Sequence, residues 1–203
     1  MLFTFFKINN REQKRDDSPH FFNELKEKIE NNPTTWISDH NEDYFIFDFH
    51  TKIFCKSIIY SINEQNFLLI NSFDKTKINN ITSFFSESFN LFPNTMKIST
   101  NSFKKIMELK YQIVELDAII HDPIVEEISI SGTDIHDAEF YQIIMEKGEI
   151  QKITIYFDEI EGDRIGSVVK LFSDSKMSVI PELDPQELLK IFKIIVQEIA
   201  IDQ

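Results

Sequence analysis

At 203 residues, with 42% hydrophobic and 13% aromatic residues, the chain has the composition of a globular protein able to bury a core, not of a disordered one. Its charge is uneven. From Met1 to Lys110, 14 Lys+Arg balance 14 Asp+Glu, whereas Tyr111 to Gln203 holds 7 against 20 and carries the whole net charge of -13. Such acidity repels nucleic acid and anionic lipid and attracts basic proteins. The single Cys55 excludes an intramolecular disulfide framework, and no run approaches 18 apolar residues. Residues 1–6 are too short for a signal segment, so the expected setting is the cytoplasm.

Residues 1–7 read as a strand and 9–17 as a charged loop. Ser18-Pro19 then opens a helix with Phe21, Phe22, Leu25 and Ile29 on one face, broken at Asn31-Asn32-Pro33. Four strand-like runs follow at 34–38, 44–50, 53–61 and 67–71, with turns at 39–43 and 63–65. Asp74 caps a second helix that turns Ile78, Ile81, Phe84, Phe85 and Phe89 inward. The order so far is β-α-β4-α. Beyond it, 96–99 reads as a strand and 103–108 opens a helix, which either runs on to Ile120 or yields to a strand over 112–116. Further strands are expected at 124–131, 139–146, 150–158, 165–172 and 177–180. Asp184-Pro185-Gln186-Glu187 is a capping box before a last helix rich in Leu and Ile.

A shift of 110 residues lays one half on the other. Phe47-Asp48 falls on Phe157-Asp158, Ile58-Ile59 on Val168-Val169, Leu69-Ile70 on Val179-Ile180, and Phe73-Asp74 on Leu183-Asp184. The sequence therefore predicts an α+β fold, an antiparallel sheet or sheets with long helices on one face. Either its halves, 1–95 and 96–203, repeat the β-α-β4-α order shared by TATA-binding-like and helix-grip folds, or the match is one that any two strand-hairpin-helix blocks share; the alternative to two halves is one continuous domain. A DNA-binding saddle of that type needs a basic face, which this charge balance opposes.

Twenty Phe, with abundant Ile, Asn and Lys and only 4 Gly and 6 Pro, follow the codon bias of an AT-rich genome and need no ligand cage to explain them. Four glycines could hardly build a phosphate-cradling loop, and no nucleophile elbow, dinucleotide fingerprint or H-E-x-x-H pair is present. Two acidic clusters stand out. Asp158, Glu159, Glu161 and Asp163 read as an exposed hairpin turn, because their spacing departs from a calcium-binding loop. Asp134, His136, Asp137 and Glu139, with the His121-Asp122 pair, read as solvated loop residues, Asp137 preceding a strand. No metal and no cofactor is expected from either. Basic clusters at Lys7, Arg11, Lys14 and Arg15, and at Lys97, Lys104, Lys105 and Lys110, read as ordinary solvated surface, the alternative being contact with an acidic face of a second copy in a homo-oligomer.

The expected function is therefore non-catalytic. Asp134, Asp137, Glu139, Asp158, Glu159, Glu161 and Asp163 would dock a basic protein partner, as a cytoplasmic inhibitor or immunity protein does when its carboxylates neutralise a toxin or nuclease. The alternatives are a helix-grip-like module closing its last helix over an apolar ligand, and a metal-dependent hydrolase built on the same acidic loops.

Overall fold

The computed structural model describes residues 1–10, 19–49, 56–63, 65–121 and 125–200. Outside them lie most of the expected first loop, the Ser18 cap, His50, residues 53–55 with Cys55, Asp122-Pro123, Ile124 and Ile201. Among the described residues eleven strands and five α-helices form an α+β structure whose strands pair antiparallel. The chain divides into two compact units, Leu2–Met96 and Lys97–Gln203, the second including Met1.

The first unit contains β1 (Leu2–Asn10), α1 (Pro19–Glu30), β2 (Thr35–His40), β3 (Tyr44–Phe49), β4 (Ser57–Ile62), β5 (Gln65–Ile70), α2 (Lys75–Phe89) and β6 (Leu91–Thr95). Its strands lie in the order β2-β3-β4-β5-β1, with β6 also on β1. Phe45, Phe47, Ile59, Leu68 and Ile70 share one core with Phe22, Leu25 and Ile29 of α1 and Ile81 and Phe85 of α2. Because strand side chains alternate, Tyr44, Ile46, Ile58, Tyr60, Phe67 and Leu69 point the other way, and these too are buried. Asp74 caps α2 by accepting from the backbone N–H groups of Thr76 and Lys77 at 2.8 and 3.1 Å.

Two expectations fail here for the same reason. The strand anticipated at 96–99 lies at Leu91–Thr95, and β1 runs on through Asn9 and Asn10, which face Phe92 and Leu91 of that strand. Pairing across the fold overrides the polarity of the asparagines and admits Pro93 in a strand that, among the described residues, pairs with β1 alone.

In the second unit, α3 (Thr100–Met107) leads to β7 (Gln112–Ile120), β8 (Glu127–Ser131), a 3-10 turn at Ile135–Asp137 and α4 (Tyr141–Lys147). Then come β9 (Gly148–Ile160), β10 (Asp163–Phe172), β11 (Lys176–Ile180) and α5 (Pro185–Ala200). The strand order is β11-β10-β9-β7-β8. The ambiguous stretch after Phe103 resolves as a helix that stops at Met107 and a separate strand from Gln112. The strand expected at 139–146 is instead the helix α4. Its Ile143 and Ile144 are adjacent, a pattern that alternation does not explain, and only Ile144 is buried. The chain passes from α4 into β9 without a loop at Gly148, where a Cβ would lie 2.7 Å from the Ile144 carbonyl oxygen. Glycine is needed for that close approach.

The capping box is present: Asp184 accepts from the N–H groups of Gln186 and Glu187 at 2.8 and 2.9 Å, while Glu187 accepts from the Asp184 N–H at 3.3 Å. Shifted by 110, β3, β4 and α2 fall within β9, β10 and α5. The pairing repeats as well: Phe45 faces Ile59 and Phe47 faces Ser57, just as Ile155 faces Val169 and Phe157 faces Ser167. The next strand departs by one residue, since Ile59 faces Leu68 but Val169 faces Val179. Leu68, not Leu69, is thus the counterpart of Val179 in the sheet.

Ile191, Phe192 and Ile195 of α5 are wholly buried. Ile195→Ala is expected to lower unfolding free energy by about 2–5 kcal/mol, and Asp184→Ala by about 1 kcal/mol through loss of the cap. Denaturant titration of each variant against the wild type measures both.

Candidate functional site

All seven acidic residues singled out from the sequence are exposed. Asp158 and Glu159 close β9, Glu161 sits in the turn, and Asp163 opens β10. The acidic hairpin is tight, because Glu161 and Gly162 alone join Ile160 to Asp163 with φ of 53° and 87°. Two positive φ angles suit the two-residue turns whose twist matches that of paired strands. Asp134 precedes the 3-10 turn that ends in Asp137, and Glu139 precedes α4, so Asp137 leads into a helix and not a strand. Among the seven, Asp163 alone forms an ion pair, with Lys190 of α5.

The structure brings part of this set to a groove. An open depression of about 430 Å3 is lined by Lys110, Tyr111, Gln112, Tyr156, Asp158 and Glu159. It forms because β7 pairs with β9, which places Gln112 opposite Tyr156. The Tyr111 ring is held against Phe157, with centroids 4.5 Å apart, and the Lys110 ammonium lies 5.8 Å from its centre. The Tyr156 hydroxyl donates to Asp158 at 3.3 Å, and the Gln112 side-chain amide donates to the Thr133 carbonyl at 2.9 Å. That last bond ties the segment preceding Asp134 to the groove. Partial burial, and after it the Glu161 charge, push the Tyr111 pKa up. Glu161 therefore belongs to the same electrostatic neighbourhood. Asp137 and Glu139 are not among the lining residues, and Asp163 is drawn toward α5.

Next along the same strands is a network with no counterpart in the sequence reading. Glu115 of β7 accepts from the Thr154 hydroxyl at 2.7 Å and from Lys152 at 3.0 Å, with Lys170 at 3.4 Å. Lys152 also reaches Asp117 at 2.5 Å, and Asp117 accepts from Ser129. The Thr154 hydrogen bond is the largest influence on Glu115. With the two lysines it outweighs partial burial and lowers the pKa to about 2. For Lys152, burial opposes the charge, but hydrogen bonds to Asp117 and Glu115 overcome it and raise the pKa. Alternation hinted at this face, with Glu115 and Asp117 on one strand and Lys152 and Thr154 on another. Which strand meets which was not visible locally.

Among the described residues the histidines do not assemble a site. His136 packs edge-on against Tyr141 at 4.7 Å, His121 lies 3.5 Å from Glu149, and His40 ends β2 and is exposed. Among the described residues no group of three His, Cys, Asp or Glu could hold a metal ion, and no helix is long and apolar enough to cross a membrane.

The folded-state pKa of Glu115 lies below its unfolded value, so its contribution to stability is full above about pH 4.5 and lost as pH falls toward 2. Glu115→Gln should therefore lower stability at neutral pH and flatten the decline between pH 4.5 and 2. Urea titrations across that range check both. Compared with protein-family models and with curated proteins, the chain matches none.

Proposed function

We propose that this chain is a non-catalytic interaction protein whose acidic C-terminal unit docks a basic protein, in the manner of an inhibitor that neutralises a basic toxin or nuclease. One observation carries the reading: of seven exposed carboxylates, six have no ion pair, and they lie in the stretch that holds the whole net charge of -13. Lys152 is committed to Glu115 and Asp117, and although Lys190 pairs with Asp163, Lys110 borders the groove and Arg164 faces Glu159 across the hairpin, the carboxylates outnumber these cations. Uncompensated charge on an exposed surface accelerates encounter with an opposite surface, and the effect is screened by salt. An apolar ligand beneath α5 draws less support, since Leu188, Ile191, Phe192, Ile195 and Ile199 are themselves core residues.

We also infer that the two units are copies of one ancestral unit. The repeated β3–β4 and β9–β10 register supports this, as do the buried Ser57 and Ser167 opposite Phe47 and Phe157 and the two Asp-capped helices. The copies differ on one sheet face. Tyr44 and Tyr60 of the first correspond to Thr154 and Lys170 of the second, so docking is assigned to the second alone.

Association with basic proteins, ribonucleases among them, should slow steeply as salt rises, with dissociation changing less. Reversing Glu159 and Glu161 to Lys should slow association similarly while leaving the melting temperature near that of the wild type. Stopped-flow or surface-plasmon kinetics measure this. Rates indifferent to both salt and charge reversal overturn the proposal.

A further inference from the structure

The groove between the start of β7 and the end of β9 has a more specific chemistry than bulk acidity. Its polar lining is dominated by acceptors: the carboxylates of Asp158 and Glu159, the amide oxygen of Gln112 and the tyrosine hydroxyl oxygens, against one cation, Lys110. One of the two Gln112 amide N–H groups and the Tyr156 hydroxyl hydrogen are already donated to Thr133 and Asp158. An aromatic wall stands beside these acceptors. Tyr111 is fixed on Phe157, and the chain's own Lys110 ammonium already lies over its ring.

Resting on the docking reading above, we propose that this groove seats the guanidinium of an arginine side chain from the basic partner. A guanidinium is planar, carries five N–H donors and no acceptor, and stacks on aromatic rings while bridging a carboxylate. That matches an acceptor-rich, tyrosine-walled groove point for point. A phosphate or carboxylate would meet Asp158, Glu159 and the nearby Glu161. A lysine ammonium could answer the charge but not the stacking and forked hydrogen bonding together. Lys110 competes for the same ring face and would move aside.

The test uses the intact chain and two probes, blocked hepta-arginine and hepta-lysine, titrated calorimetrically at low salt and near 1 M, where the Debye length falls to about 3 Å. Hepta-arginine should bind several-fold more tightly, and that preference should survive high salt. Tyr111→Leu and Asp158→Asn should each remove about tenfold of arginine affinity, while Tyr111→Leu leaves low-salt hepta-lysine binding unchanged. Lys110→Ala should tighten hepta-arginine binding. Circular dichroism of each variant establishes that it is folded, and Asp158→Asn, a change at an exposed position, serves if Tyr111→Leu does not fold. Equal affinity for the two peptides overturns the arginine site while leaving charge-driven docking standing, and so does a preference unchanged in both variants. Absence of binding by either peptide at low salt overturns both.

Discussion

A β-strand must send successive side chains to opposite faces, and in β9 that rule governs both the stability and the surface of the second unit. Its thirteen residues, Gly148 to Ile160, pair with β7 on one side and β10 on the other. Ile153, Ile155 and Phe157 go to the core. Lys152, Thr154, Tyr156 and Asp158 take the opposite face, where they meet Glu115, Asp117, Lys170 and Gln112. One register thus sets the apolar packing, the charged network and the groove together. A slip by one residue would exchange the core set for the charged set.

The parts of this arrangement visible in the sequence are those that depend on neighbours along the chain. Asp74 and Asp184 announced helix starts because a cap acts over three residues. The hairpin at Glu161-Gly162 announced itself because charge and glycine interrupt two alternating runs. The exposure of Asp158, Glu159, Glu161 and Asp163 followed from the same local pattern. Contacts made across the chain were hidden. Nothing near Tyr111 signals that it will lie against Phe157, and nothing near Glu115 signals Thr154, because the bulged β7–β9 ladder joins segments some forty residues apart. The reading of 139–146 as a strand failed for a related reason: a seven-residue helix with one buried isoleucine shows too little periodicity to betray its type.

The contrast between the units shows how one scaffold can carry two surfaces. Where the first unit places Tyr44 against Tyr60 on its second sheet face, rings 5.9 Å apart and both buried, the second places Thr154 against Lys170 beneath Glu115. Cross-strand pairs tolerate either chemistry, since the backbone ladder supplies the same hydrogen bonds in both cases. The aromatic pair requires exclusion from water, whereas the ionic set tolerates it. A different pair at corresponding sheet positions is enough to exchange an aromatic contact for an ionic network.

The end strands have a consequence for how the protein behaves when crowded. β2 and β8 terminate their strand orders, and a strand with one unsatisfied backbone edge is an invitation to pair with another chain. Neither offers a usable template. β2 spans six residues and bulges between Ile37 and Asp39 before ending in Asp39-His40. β8 spans five, opens with an exposed glutamate, and has Ser129 fastened to Asp117. Both edges are short, and with the bulge in β2 and the charged and hydroxyl side chains of β8 they make poor templates for an added strand.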